Sequence, residues 1–497
     1  MRRAGATSLL LLALVTLPVR AQTAGPGDAA APPAQATAAV APPADPRALT
    51  YPPLTISFPK PERLMLSNGL VIYLFVDHEL PLIDLAFDLA AGSIDDPPGK
   101  EGLADLTAAL MRAGGTADMS PDQVDEAVDF LPARLGFAPD RDNLGGTLSA
   151  LKEKFPEALR LFAGMLRAPR FDPARLEVER ARVVEEIRRR WDDPGDVAEL
   201  NFRLLAYGAR SPWARLPDAA SIGRITRDDL VDFHRRYLHA NNMVLGVAGD
   251  FEPEAMKSLL KSTFGSWPRA KVTPPPIGKV KDAVPVGVHL IERPVSQSTF
   301  EIGHLGVNRF DPDKFPLKIL NFILGEGGFT SRLVREVRST RGLAYSVGGG
   351  VGMDSDRGLF EVSCRTRAAS TVEAIQLIRD ILRRLRQDGP TEEEVREAQE
   401  ASINSFVFSL DGTVPYMRAY LYYDRYGYPP DYLMTYRDNL GRVTRAQVFV
   451  AARRHIDPEH LLILVVGKAQ DLASPLDSLG LGAPRLVRLD GEAAASN

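Results

Sequence analysis

The sequence predicts an α+β protein of two homologous domains, each a mostly antiparallel sheet with helices packed on one face. Three observations carry this. Short runs rich in branched and aromatic residues alternate with helical stretches in both halves of the chain, the pattern of sheets covered by helices. Gly223-Arg224-Ile225-Thr226-Arg227 returns 218 residues later as Gly441-Arg442-Val443-Thr444-Arg445. At the same spacing, Val247-Ala248-Gly249-Asp250 is answered by Val465-Val466-Gly467-Lys468. A period that large marks duplicated domains rather than a solenoid.

Taken in order, residues 1–21 read as an export leader. Arg2 and Arg3 give a positive start, Leu9 to Leu17 is apolar but too short to span a bilayer, and Val19-Arg20-Ala21 ends in a small-x-small pattern. Cleavage after Ala21 is expected, with a periplasmic or secreted product. Loss of Arg2, Arg3 and Arg20 takes the formal net charge from −4 to −7. No cysteine follows the cleavage point, so a lipid anchor is not expected. Residues 22–50 hold eleven alanines and six prolines, and such a segment cannot bury enough surface to offset its ordering entropy, so a disordered tether is predicted.

The first domain is expected over 51–266. Leu70–Val76 and Ile83–Ala90 read as strands. Ser120 before Pro121 is a helix start, as is Asp172 before Pro173, which opens a charged helix over 173–191. Thr226 with Asp229 forms a capping-box pattern for a helix that ends near Tyr237 and feeds the strand Met243–Ala248. Pro274-Pro275-Pro276 interrupts any regular element, which makes 267–285 a linker. The second domain follows over 286–485, with a helix from Thr444 running into the strand Leu461–Val466, and 486–497 is read as a tail.

Composition limits the function. The chain has 497 residues, 60 Lys+Arg against 64 Asp+Glu, and one cysteine, Cys364. Near-balanced charge without a basic block excludes a nucleic-acid binder. One cysteine excludes a disulfide framework and a cysteine-based zinc cage. No segment after the leader is long and apolar enough to span a membrane.

Gly102-Leu103-Ala104-Asp105-Leu106-Thr107-Ala108-Ala109 runs on to Gly114-Gly115-Thr116, behind a strand and an acidic Gly/Pro turn. This segment resembles the zinc-site helix of the pitrilysin/insulinase metallopeptidases, the mitochondrial-processing-peptidase-like group with an inverted H-x-x-E-H motif. The resemblance covers about 60–470. It includes Val183-Val184-Glu185-Glu186-Ile187, Gly249-Asp250, Phe329-Thr330-Ser331-Arg332-Leu333, and Arg341-Gly342-Leu343-Ala344-Tyr345-Ser346-Val347.

The resemblance implies a histidine, a general-base glutamate and a second histidine at i, i+3 and i+4 of one helix. Those places hold Asp105, Ala108 and Ala109. Catalytic zinc needs three protein ligands and a base for its water, and alanine has no donor atom. Glu186 matches the distant third ligand, with 76 residues between it and Ala109. Asp105 and Glu186 together offer at best a weak two-carboxylate site. The histidines do not compensate: His234 and His239, like His455 and His460, stand five apart, and His78, His289 and His304 stand alone. No metal and no cofactor are expected in this chain.

In the second half the resemblance places a substrate-gripping arginine and an oxyanion-donating tyrosine at Arg341 and Tyr345. Both are good donors where negative charge grows during amide cleavage. Gly325, Gly327 and Gly328 resemble the family's glycine-rich loop, and a turn needing positive φ explains them equally well. The resemblance therefore implies a non-catalytic, peptide-binding subunit that completes the chamber of a homologous partner with an intact H-x-x-E-H, the zinc residing in that partner. The alternatives are a non-enzymatic scaffold of the same fold and, with little support from the histidines, a hydrolase with a relocated metal.

Overall fold

A computed structural model describes residues 60–274, 277–280 and 283–489. The expected leader and tether lie outside the described residues, as do Pro275, Pro276 and the last residues of the expected tail. The first sheet contains β1 (Glu62–Met65), β2 (Val71–Val76), β3 (Leu82–Leu89), β4 (Ala133–Pro139), β5 (Leu144–Leu151) and β6 (Met243–Gly249). Their order is β1-β2-β6-β3-β5-β4. All neighbours are antiparallel except β2 and β6. The same half carries α1 (Leu103–Ala113), α2 (Pro121–Phe130), α3 (Phe155–Arg167) and α4 (Pro173–Arg189). It continues with α5 (Pro194–Tyr207), α6 (Ala219–Arg224), α7 (Arg227–Tyr237) and α8 (Pro253–Phe264).

The second half repeats the plan with β7 (Gly287–Glu292), β8 (Gln297–Leu305), β9 (Val307–Asn308) and β10 (Ala344–Val351). After β11 (Met353–Asp354) come β12 (Leu359–Arg367), β13 (Leu462–Gly467) and β14 (Arg485–Leu486). Its main sheet has the order β10-β12-β8-β13-β7-β14, with the short β9 and β11 paired apart from it. The helices are α9 (Lys314–Asn321), α10 (Thr371–Asp388), α11 (Glu392–Ser409) and α12 (Thr413–Arg425). Then follow α13 (Tyr432–Gly441), α14 (Arg445–His455) and α15 (Ala469–Asp477). The run β2-β6-β3-β5-β4 thus has its counterpart in β7-β13-β8-β12-β10. The copies of the repeated motif start α7 and α14 with the same device: Thr226 accepts from the amide of Asp229, Thr444 from that of Gln447, and each partner side chain reaches back.

Each sheet packs helices of its own half on one face, as expected. Its other face receives a helix from the opposite half: α12 lies on β6 and β3, while α5 lies on β8 and β13. Strand alternation shows the division of labour. Ile72 and Leu74 of β2 join the core under the first half's helices, while Tyr73 and Phe75 turn to α12. The Tyr73 hydroxyl donates to Asp424 Oδ1 at 2.9 Å, and the Phe75 ring meets Tyr416 edge-on. In β13, Leu462, Leu464 and Val466 pack with Val197 and Phe202 of α5. Strands buried on both faces lose polar alternation, which is why β6 and β13 are apolar throughout.

The expected linker is held at several points. Trp213 Nε1 donates to the Gly278 carbonyl at 3.2 Å, and the Val280 amide donates to Asp356 Oδ2 at 2.8 Å. At the far end, β14 reaches Leu486 beside β7, and Leu489 is buried against the α5 cluster.

Candidate functional site

α1 forms because Leu103, Leu106, Leu110 and Met111 share one buried face. Gly102 starts it with φ of 96°, a conformation that suits glycine. The cap comes from outside the helix: Asp96 accepts from the amides of Gly102 at 2.8 Å and Ala104 at 2.9 Å. Burial pushes the Asp96 carboxyl up to about 7. α4 is opened by Asp172, which accepts from the amides of Ala174 and Arg175. Together α1, α4 and the edge strand β4 wall a cleft of about 830 Å³.

Asp105, Ala108, Ala109 and Glu186 all line this cleft. Helical spacing brings the first three together, and α4 delivers Glu186 opposite them. Asp105 is exposed on the cleft wall, and the protein crowded about its carboxyl pushes it upward; Arg190 opposes that shift and Glu186 adds to it. The carboxylate of Glu186 is already engaged, since Arg182 Nη1 donates to it at 2.5 Å. Arg182 Nε also donates to Glu179 Oε2 at 2.7 Å. The half-exposed Arg182 guanidinium thus bridges two glutamates of α4 that line the cleft. The residues present do not fit a catalytic zinc: two ligand or base positions are methyl groups, and Asp105 with Glu186 cannot supply three protein ligands and a base for the metal-bound water. Arg182 and Glu179 were missed from sequence because the charged face of 173–191 reads as ordinary i,i+3 and i,i+4 pairing.

The second group lies on the edge strand β10. Pairing with β12 shifts register between Ala344 and Ser346, which leaves Tyr345 as the bulged residue. Bulges re-aim a side chain, and Tyr345 is 75% exposed. Arg341, with its side chain 61% exposed, lies 3.8 Å from Glu373. The Arg338 guanidinium lies 6.0 Å from the Tyr345 ring centroid and 5.5 Å from that of Phe329. Arg338 belongs to a π-helical stretch, Val334–Thr340, a departure from helical spacing that sequence periodicity does not reveal. Phe329 is itself exposed. Exposed tyrosine and arginine are among the residues enriched in binding hot spots, and the two rings give the guanidinium cation–π partners.

The glycine-rich loop has two structural causes. Gly328 takes φ of +57°, and a Cβ at Gly325 would lie 2.4 Å from the Gly349 carbonyl oxygen on β10. The loop therefore sits tightly against the strand that carries Tyr345.

Residues 80–210 match the family described as Insulinase (Peptidase family M16), and residues 224–402 match Peptidase M16 inactive domain. An uncharacterized zinc protease of Streptomyces coelicolor is 27% identical over 360 residues, 71% of this chain and 77% of that protein. A protein of Helicobacter pylori named as a non-peptidase homolog is 22% identical over 395 residues, 78% of this chain and 90% of its own. Among solved structures, a peptidase M16 inactive domain from Pseudomonas fluorescens superposes with a TM-score of 0.75 at 27% identity, covering 82% of this chain and 98% of that one. A protease from Helicobacter pylori gives a TM-score of 0.72 at 19% identity over 83% of this chain and 100% of its own, a likeness of fold.

Proposed function

The chain belongs to the insulinase-type peptidase family M16, and from that premise we propose that it is the non-catalytic, substrate-binding subunit of an exported heterodimeric zinc metallopeptidase. One observation carries the reading. The α1–α4 cleft has exchanged metal donors for Ala108, Ala109 and a bridging Arg182, while Tyr345, Arg338 and Phe329 remain together in the open. A structural core would bury and pair that second group. Cleavage then occurs at the zinc of a homologous partner with an intact H-x-x-E-H, and this chain supplies chamber wall, peptide contacts and an oxyanion donor. The substrate is an extended peptide, whose main chain adds to a sheet edge. The names of the Helicobacter pylori relative and of the inactive-domain family support a non-peptidase role.

The test uses the mature chain, residues 22–497, with a quenched-fluorescence peptide. Alone it is expected to cleave nothing above background. Mixed with a homologue from an adjacent coding region that carries H-x-x-E-H, it should raise cleavage well above the partner's own rate. Chelator-sensitive cleavage by this chain alone, lost in Glu186→Ala, would defeat the proposal. A partner equally active without it would leave a scaffold.

A further inference from the structure

We propose that Asp311, Asp313 and His455 form a site for a zinc-class divalent cation that ties the start of α9 to the end of α14, apart from the α1–α4 cleft. The inference does not depend on the subunit reading. One ligand atom from each residue lies within 4.8 Å of the other two. His455 Nε2 is 2.8 Å from Asp313 Oδ2 and 3.9 Å from Asp311 Oδ1. Donors on a tetrahedral zinc at about 2.0–2.2 Å stand roughly 3.3–3.6 Å apart, so small rotations of these side chains place a cation among them. One imidazole and two carboxylates suit zinc or manganese better than calcium or magnesium, which favour oxygen alone.

Two further observations favour a ligand over a simple helix tie. Asp313 occupies the N-cap position of α9 but makes no side-chain cap; its carboxylate turns instead to His455. Asp311 and His455 also line a cavity of about 740 Å³, which gives a cation an entry path and room for water at its open positions. Another histidine of the same cavity is already committed. His304 Nδ1 donates to the Leu305 carbonyl, and its Nε2 accepts from the Asp457 amide. His455 is different: its side chain is only 11% exposed, and its Nε2 faces the two carboxylates, bonded to Asp313 Oδ2 at 2.8 Å with Asp311 Oδ1 at 3.9 Å.

The competitor is Arg454, whose Nη1 donates to Asp313 Oδ2 at 2.7 Å. Its side chain is 58% exposed, so it can swing into water when a cation arrives. This gives the test opposite signs. The metal-stripped mature chain is titrated with Zn²⁺ against a chromophoric chelator. One saturable equivalent is expected, with affinity reduced roughly tenfold or more in Asp311→Asn and in His455→Gln and raised in Arg454→Met. Glu186→Gln should change nothing, and zinc should raise the thermal midpoint of the wild type but not of His455→Gln. If Asp311→Asn or His455→Gln fails to fold, Arg454→Met still decides. No saturable zinc, binding unchanged in the first two variants, binding lost in Glu186→Gln, or weaker binding in Arg454→Met would each overturn the site.

Discussion

Met417 of α12 fills the space that a side chain at Gly246 of β6 would need: a Cβ there would lie 2.6 Å from Met417 Cγ and 2.8 Å from its Sδ. The close approach of α12 to β6 at this point needs the missing methyl. Gly246→Ala should therefore cost about 1–3 kcal/mol, the usual penalty of overpacking. Denaturant unfolding checks it, and Met417→Ala in the same chain should recover part of the loss. An unchanged unfolding midpoint in Gly246→Ala would mean that α12 does not press on β6.

Much of this architecture was legible in the sequence, and the exchanged helices show where legibility stops. The 218-residue spacing locates α7 against α14 and β6 against β13, because capping residues and apolar runs are local signals. It also relates α5 to α12. An apolar helix face, however, records how much surface must be buried and not which sheet buries it, so nothing in 194–207 says that Val197 and Phe202 belong to the second half's sheet. The candidate site divides in the same way. Asp105, Ala108 and Ala109 fall together by helical spacing alone. Arg338 reaches Tyr345 only through a π-helical stretch and a β-bulge. His455 meets Asp313 across 142 positions, a neighbour that comparison with His460 could not reveal.

The outside cap of α1 gives a second expectation. Asp96→Ala leaves the Gly102 and Ala104 amides without their acceptor in a buried site, and each such group costs about 1–3 kcal/mol. Loss of a buried carboxyl that burial already holds near neutral offsets part of this. Amide exchange at 102–104 should accelerate before global unfolding does. Exchange as slow as in the wild type would mean that the first turn has another anchor.

Glu301 on β8 makes stability depend on pH in an unusual direction. It is 4% exposed, and burial pushes its carboxyl up from 4.5 to about 8, reinforced by Glu361 and Glu199 and opposed by a bond with Ser363. The folded state keeps a proton that the unfolded chain releases, so this group's contribution is fully present below about pH 4.5 and is lost as pH rises through about 8. Glu301→Gln mimics the protonated form. Its thermal midpoint should match the wild type near pH 5 and exceed it near pH 9. Parallel profiles for the two proteins would show that Glu301 is ionised when folded.

The last expectation concerns Tyr345, whose hydroxyl is the donor proposed for a partner's oxyanion. Tyr345→Phe keeps the exposed ring and removes only that donor. One such donor is worth roughly 2.7–4 kcal/mol, so turnover by the reconstituted complex should fall about a hundredfold or more. Arg338 and Arg341 should then separate. Arg338 has its guanidinium over the Tyr345 and Phe329 rings, so Arg338→Met frees the tyrosine and should lower kcat while leaving assembly intact. Arg341 lies near Glu373, with both side chains more than half exposed. Such a pair contributes little to stability. Arg341→Ala should raise KM with a smaller change in kcat, because it removes contacts made before the transition state. None of the three side chains is buried, so no thermal midpoint should move greatly. Full turnover in Tyr345→Phe would remove this chain from the oxyanion site. Equal kcat losses in both arginine variants would remove the distinction drawn from Arg338 over the ring. Loss of folding in any of the three would make the group a structural one.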